Sequence, residues 1–450
     1  MQKSKFNILK VIGDYIYLYN GLTWSVIRFP NEFEPLIYNI LDFPEAVNGS
    51  KEIQLTKDIL YGNGFLIDDD KSEMELLKQR YNYAKNHQNY CALQIAVTMQ
   101  CNFACPYCYE NEENSSLSAQ TQDAIINYIA RNIDKWDRLC LDWFGGEPLL
   151  RPDIIRNLSN RAMELCKISK TEYLSTIITN GYLLNKKNLE LLEKYRVREI
   201  QVTLDGGRKT HDSRRFLKNG KGTFDTIVNN LILGADIFDK IIVRVNIEGQ
   251  RPDDISELFV RLNPIKDKLH IGFMPIQTTV ECDGHSNNYA SFRRENYSYG
   301  RLIDSHGFNP SVTHTPPGGL FCAAYNNNFL LIDPKGNLYR CTVMAGKTEY
   351  RIGYLQDDGT IKKTSDQSPH LEFDPFEDKD CKVCDHLPIC MGGCINMPLS
   401  DKSNSGRCII KDTVPSYLSS IAQKYENLKS VKGGDDDNNR TGNIFKGNVI

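Results

Sequence analysis

"LQIAVTMQCNFACPYCYE", residues 93–110, joins an apolar run to three cysteines, Cys101, Cys105 and Cys108, spaced three and then two residues apart. The run predicts a buried strand, and the cysteines follow it directly, in the loop at its carboxyl end. Similar runs recur downstream: "LCLDWFGG" (139–146), "LSTIITNG" (174–181), "REIQVTLDG" (198–206), "KIIVRVNIEG" (240–249) and "HIGFMPIQ" (270–277). Amphipathic patterns lie between them, with Ile125, Ile129 and Ile133 on one helical stripe and Phe224, Ile227 and Leu231 on another. Six such units predict an α/β fold, a parallel sheet curved into a partial (β/α)6 TIM-like barrel. Its functional loops belong at the carboxyl ends of the strands.

The chain has 450 residues, 40% hydrophobic and 25% charged, with a net charge of -3. These are values of a globular protein, and the charge argues against a large sequence-independent nucleic-acid surface. No run approaches the ~18 apolar residues of a membrane span, and no export signal opens the sequence. Fourteen cysteines cluster at short spacings, which in a chain without an export signal reads as metal or redox chemistry in a reducing cytoplasm.

Residues 1–90 form a separate region. "KFNILKVIG", "DYIYLYNG" and "LTWSVIRF" read as short strands, while "NEFEPLIYNIL" and "KDILYGNGFLID" read as helical. The expected division is 1–90 as a winged-helix-like module, 91–285 as the partial barrel, 286–315 as a connector, 316–425 as a cysteine-rich domain, and 426–450 as a disordered tail. Within 316–425, "YLSSIAQKYENLK" begins a last helix that runs on past its end.

Most closed metal sites use four protein ligands. Three thiolates can hold three irons of a [4Fe-4S] cube and leave the fourth with an open position for a small molecule. A structural zinc site completed by a distant ligand is the alternative.

C-x3-C-x2-C with an aromatic residue, Tyr107, before the last cysteine resembles the signature of the radical S-adenosylmethionine (SAM) superfamily. Further stretches fall in the order that resemblance implies. "FGGEP", with Gly145, Gly146, Glu147 and Pro148, resembles the loop that binds the SAM amino group; glycines allow close backbone approach and a carboxylate can pair with an ammonium. "STIITNG" places Thr176 and Asn180 near carboxylate and ribose contacts. In "TLDG…THDSRR" Arg215 matches an arginine pairing with the SAM carboxylate, and "RVNI" contributes Asn246.

Downstream, Cys322-x13-Gly336-x4-Cys341, "CKVCDHLPICMGGC" and Cys408 resemble the SPASM extension of peptide- and protein-modifying radical SAM enzymes. The resemblance implies two auxiliary [4Fe-4S] clusters, one on Cys381, Cys384, Cys390 and Cys408 and one on Cys322, Cys341 and Cys394. The second set again has three ligands: either its iron is open, or a distant group such as Cys282 closes it. Cys91, Cys140 and Cys166 lie in or beside apolar runs and read as buried small hydrophobes.

The chemistry so implied is reductive cleavage of SAM to methionine and a 5′-deoxyadenosyl radical that abstracts a substrate hydrogen, with electrons from a donor such as flavodoxin or ferredoxin. The N-terminal region resembles modules that grip a precursor peptide by strand addition, so the leading expectation is a cytoplasmic maturase of ribosomally synthesised peptides, forming a thioether or a side-chain crosslink. Alternatives are a sulfatase-type maturase making formylglycine, an iron-sulfur or zinc-binding scaffold without catalysis, and an RNA-modifying radical enzyme, the last disfavoured by the charge. No residue is selected by spacing as the general base.

Overall fold

The computed structural model describes residues 1–86, 89–110, 113–248, 252–276, 299, 302–303, 305–310, 322–364, 374–393, 414–415, 418–419, 421–422 and 443–445. Cys282, Cys394 and Cys408, much of the expected connector, most of the helix beginning at Tyr417 and most of the tail lie outside these residues. The chain forms two compact units: residues 1–84 with 314–322 and 373–450, and residues 85–313 with 323–372.

The first unit opens with β1 (Gln2–Lys3), β2 (Asn7–Ile12), β3 (Tyr15–Asn20) and β4 (Val26–Pro30), followed by α1 (Glu34–Asp42), α2 (Lys51–Gly62), β5 (Leu66–Ile67) and α3 (Glu73–Asn86). Strands β2, β3 and β4 form an antiparallel sheet, with Leu18 opposite both Leu9 and Ile27. Two-residue alternation sends Ile16 and Leu18 to one face, where they meet Ile37, Ile40 and Leu60. Tyr17 and Tyr19 face the other way, against Ile389, Val414 and Leu418. Both faces of β3 are therefore covered, which explains why five of its six residues are buried. The helical reading of "KDILYGNGFLID" holds only to Gly62. Gly64 has φ +79°, and a Cβ there would lie 2.5 Å from Thr23 Cγ2, so the chain turns and Leu66–Ile67 pair with β1 instead. At the other margin of the sheet, Asn443–Phe445 pair antiparallel with β4.

The second unit is built on β6 (Tyr90–Thr98), β7 (Arg138–Gly145), β8 (Glu172–Thr179), β9 (Val197–Thr203), β10 (Lys240–Ile247) and β11 (Leu269–Pro275). They pair in parallel and in sequence order, so every predicted strand of the barrel forms. The connecting helices include α4 (Ala119–Asn132), α5 (Pro152–Ser169), α6 (Lys186–Lys194), α7 (Arg208–Arg214), α8 (Phe224–Gly234) and α9 (Pro252–Leu262). Helix α4 starts where Ser118 accepts a hydrogen bond from the Thr121 amide at 3.0 Å, and it buries Ile125 and Ile129 in the same core as Phe224, Ile227 and Leu231 of α8. The fold is α/β with a large, mostly parallel sheet.

Residues 329–363 prolong that sheet. β12 (Asn309–Pro310) pairs with β11, β13 (Phe329–Ile332) lies parallel to β6, and β14 (Asn337–Tyr339), β15 (Gly353–Leu355) and β16 (Ile361–Lys363) follow antiparallel. The cysteine-rich region is thus shared out: Cys341 stands in the barrel unit, while Cys381, Cys384 and Cys390 pack with the N-terminal strands.

Candidate active site

The loop after β6 is pinned at both ends by backbone contacts. At its start, the Gly146 amide donates to Thr98 O at 3.0 Å and the Glu147 amide to Gln100 O at 2.9 Å. The glycines of "FGGEP" are required by this approach: a Cβ on Gly145 would fall 2.2 Å from Thr98 O, and one on Gly146 would fall 2.4 Å from Gln100 O. Further along, the Ala104 amide donates to Phe216 O at 2.9 Å and the Lys218 amide to Asn102 O at 3.1 Å. The segment carrying Arg215 is thereby stitched to the cysteine loop.

These loops line an open cavity whose empty space, about 870 Å³, includes space open to solvent. Cys101, Cys105, Tyr107, Cys108, Gly145, Gly146, Asn180, Arg215 and Asn246 all line it, so nine of the residues singled out in the sequence converge. Tyr107 is tied into a polar network: its hydroxyl bonds Asp205, and it accepts from Arg215 Nη1 at 2.9 Å and from Asn246 Nδ2 at 3.2 Å. Burial raises the Tyr107 pKa, and Asp205 raises it further against the opposing pull of Arg215. Burial works against the Arg215 charge, but Tyr107, Cys105 and Asp205 outweigh it and hold its pKa above the ordinary value. Asn180 donates to Asn102 Oδ1 at 2.8 Å.

Three expected contacts do not line the cavity. Thr176 lies partway down β8, where its hydroxyl donates to Asp142 Oδ1 at 2.7 Å, not at the cavity. It belongs to a buried polar layer in which Gln94 bonds Asp142 at 2.6 Å and accepts from Thr342, beside Cys341, at 2.9 Å. Thr179, three residues nearer the strand end, lines the cavity in its stead. Glu147 is fully buried and bonded within the protein: Oε1 accepts from the Leu149 amide at 2.9 Å and Thr179 Oγ1 at 2.8 Å, and Oε2 accepts from the Asn180 amide at 2.8 Å. Neither Glu147 nor Pro148 lines the cavity; they shape the loop.

Sequence reasoning passed over Glu110, the last residue of the opening stretch. It lines the cavity with Oε2 buried and unbonded among the described residues. Burial, reinforced by Glu147, pushes its pKa up to about 7. No spacing rule marks it, because it is one acid among 57 Asp and Glu residues.

The donor set suits an iron-sulfur cube better than a single ion. Donors around one zinc at ~2.3 Å stand within about 4.6 Å of one another. Among the described residues the group with donor atoms within 4.8 Å is Cys384, Asp385 and His386; the 101–108 triad is spread more widely, as the corners of a cluster demand. Burial pushes the thiols of Cys101 and Cys108 up to about 12 and about 11, so a bound cation is what would hold them as thiolates near neutral pH. SAM also fits: Arg215 Nε is buried and unbonded in the cavity wall, ready for a carboxylate. In the first unit, Cys381, Cys384 and Cys390 are half-buried in tight turns, with the Cys384 amide donating to Cys381 O at 3.1 Å and the Cys390 amide to His386 O at 3.0 Å. Cys322 is exposed, whereas Cys91, Cys140 and Cys166 are buried.

Residues 95–262 match the family model described as the Radical SAM superfamily. Over those residues the chain carries a domain similar to that superfamily. The chain is 28% identical over 233 residues to the radical SAM cyclopropyl synthase TigE of Paramaledivibacter caminithermalis, covering 45% of this chain and 48% of that one. It is 24% identical over 319 residues to a serine-type anaerobic sulfatase-maturating enzyme of Klebsiella pneumoniae, covering 65% of this chain and 78% of that one. The chain thus spans about half of the first relative and about three-quarters of the second. Among solved structures, anSMEcpe with bound AdoMet shares the fold at a TM-score of 0.58 and 15% identity, over 75% of this chain and 98% of that one.

Proposed function

We propose that this enzyme is a SAM-dependent peptide maturase that installs a thioether or a carbon-linked side-chain crosslink in a ribosomally made precursor. The observation that carries the radical step is the cavity itself, where three thiols, a glycine-built loop and a buried guanidinium with its Nε unbonded face one space. Bound there, SAM and its [4Fe-4S] cluster would supply a hydrogen-abstracting radical on receipt of one electron. The protein's part is positional: the 101–108 loop holds the cluster, Arg215 orients the SAM carboxylate, and Tyr107 braces Arg215 and Asn246. The apolar walls, Phe103, Phe144, Ile178 and Ile276 among them, keep competing hydrogen donors away from the reacting atoms.

A peptide substrate is supported by the relatives, since anSMEcpe has been solved with AdoMet and the Cp18Cys peptide. In the N-terminal module, β2 ends its sheet among the described residues, which offers a main-chain edge for an extended leader segment. Residues 316–425 would hold two auxiliary clusters on the SPASM cysteines, and a flavodoxin or ferredoxin would deliver electrons in the cytoplasm. No helix among the described residues is long and apolar enough to cross a membrane.

The matches to sulfatase-maturating enzymes favour a second reading, oxidation of one Ser or Cys to formylglycine. Anaerobic incubation with SAM, a reductant and candidate precursor peptides, read by mass spectrometry, decides between them. A product that has lost two hydrogens, resists hydrazide labelling and fails to fragment inside a ring supports a crosslink. A hydrazide-reactive product supports formylglycine, and unchanged peptide mass contradicts both.

A further inference from the structure

Gln94, Asp142 and Thr176 stand abreast on β6, β7 and β8, each opposite the next in the strand register. Asp142 and Thr176 come two residues before Phe144 and Ile178, which line the cavity, so they share its face of the sheet one layer deeper. The hydrogen bonds of this row run in one direction. Thr176 Oγ1 and Gln94 Nε2 both donate to the Asp142 carboxyl, at 2.7 Å and 2.6 Å. With its amide nitrogen committed to Asp142, Gln94 turns its oxygen the other way, where it accepts from the Thr342 hydroxyl at 2.9 Å. Gln94 is only 3% exposed; at that depth an unbonded end of the amide would cost free energy, so each bond holds the other in place. Thr342 directly follows Cys341, the half-buried auxiliary cysteine that stands in the barrel unit. On the other side of Cys341, Arg340 donates from Nη1 to Asn326 O at 2.7 Å and to Phe329 O at 2.6 Å, and the Met344 amide closes the turn onto Cys341 O at 3.0 Å.

We propose that Gln94 is a positioning residue for Cys341: with its amide oriented by Asp142, it sets through Thr342 the turn that presents this thiol to an auxiliary cluster. The placement of a sulfur ligand and the polar groups behind it tune a cluster's reduction potential. Strand β6 then serves two clusters, carrying the loop of Cys101, Cys105 and Cys108 at its end and the strut to Cys341 at its middle. The role rests on the reading of residues 316–425 as a cluster domain and holds whether the peptide product is a crosslink or formylglycine.

The test is an anaerobic redox titration followed by electron paramagnetic resonance. The parent is the whole chain, reconstituted with iron and sulfide, with Cys101, Cys105 and Cys108 changed to Ala so that only auxiliary clusters give a signal. Gln94→Met, close in volume but without the amide, should change the spectrum of one auxiliary cluster. It should also shift that cluster's reduced-to-oxidised ratio at a fixed potential about threefold or more, the lower range of one net hydrogen bond. Gln94→Glu alone sets two carboxyls against each other and should do the same. Gln94→Glu combined with Asp142→Asn exchanges amide and carboxyl, keeps the bonds to Thr342 and Thr176, and should return spectrum and ratio to those of the parent. Iron content and thermal melting of each variant accompany the titration. A Gln94→Met protein that melts lower but keeps the parent spectrum and ratio overturns the proposal, since the row would then serve barrel stability alone. So does an exchanged pair that recovers the melting temperature without the ratio. A Gln94→Met shift that persists in full after Cys341→Ala overturns it too, because it would not pass through that cysteine. Absence of iron from the parent itself would contradict the auxiliary clusters, and the proposal would fall with them.

Discussion

The loop 101–110 and the segment 381–393 both present three cysteines at short spacing, yet they are organised by different forces. In the first, backbone bonds to Gly146, Glu147, Phe216 and Lys218 hold the loop, while its thiols face a cavity shared with Arg215 and Asn246. In the second, Leu387, Ile389 and Met391 are buried against Phe6, Leu22, Tyr17 and Tyr19, and the cysteines ride on turns between those anchors. Cys384 is further set apart by His386, whose hydrogen bond lowers its thiol pKa. One set of cysteines is oriented by a reaction space and the other by a hydrophobic core, so the same ligand type should fail differently when removed.

The largest contrast comes from deleting each set. Changing Cys101, Cys105 and Cys108 to Ala should remove about four irons per chain while leaving the melting temperature of the apo protein nearly unchanged. Changing Cys381, Cys384 and Cys390 should also lower iron, but with a clear fall in the stability of the N-terminal unit, seen by proteolysis and calorimetry. Equal effects on melting from both triple variants would erase the distinction.

Next in size is Gly145→Ala. With φ +118° and a carbonyl 2.2 Å from the new Cβ, the backbone must move, at a cost of about 1–3 kcal/mol from the strained conformation alone. Urea unfolding should register this, and cluster loading of the 101–108 site should drop with it. Normal loading would show that the loop adapts.

A smaller effect separates two threonines on one strand. Thr179→Val removes a donor from Glu147 and should weaken SAM binding, whereas Thr176→Val should cost about 1 kcal/mol of stability and leave SAM binding intact. The reverse result would return Thr176 to the cofactor site.

The smallest is a pH effect at His211, which is fully buried, accepts from the Asp205 amide at 3.3 Å and bonds Thr223 at 3.0 Å. Burial, helped by Arg215, holds its pKa well below 6.5. The folded state therefore binds fewer protons than the unfolded one, and the stability His211 contributes is complete above about pH 6.5 and is lost as the pH falls below it. The gap in melting temperature between wild type and His211→Asn should narrow from pH 7.5 to pH 5.5; a gap that widens on acidification would contradict the sign.

How legible was this in the residues themselves? The six barrel strands were, because alternation and β/α spacing are local and repeat. The end of α2 was not, since the helical period runs on past Gly62 and the turn depends on how closely Thr23 approaches Gly64. Cys101, Cys105, Cys108, Asn180, Arg215 and Asn246, singled out by motif order, line one cavity. Motif order could not tell Thr176 from Thr179, because position along a strand sets depth in the barrel and both face inward to polar partners. Nor could it show that Glu147 is bonded within the protein while Glu110 lines the cavity, because both follow from how the loops pack.

The most direct test of the central claim is the fate of SAM itself. Wild-type protein, reconstituted with iron and sulfide and reduced without oxygen, should convert SAM to methionine and 5′-deoxyadenosine, and the variant lacking Cys101, Cys105 and Cys108 should form none. A protein that loads zinc instead of iron and leaves SAM intact would contradict the account.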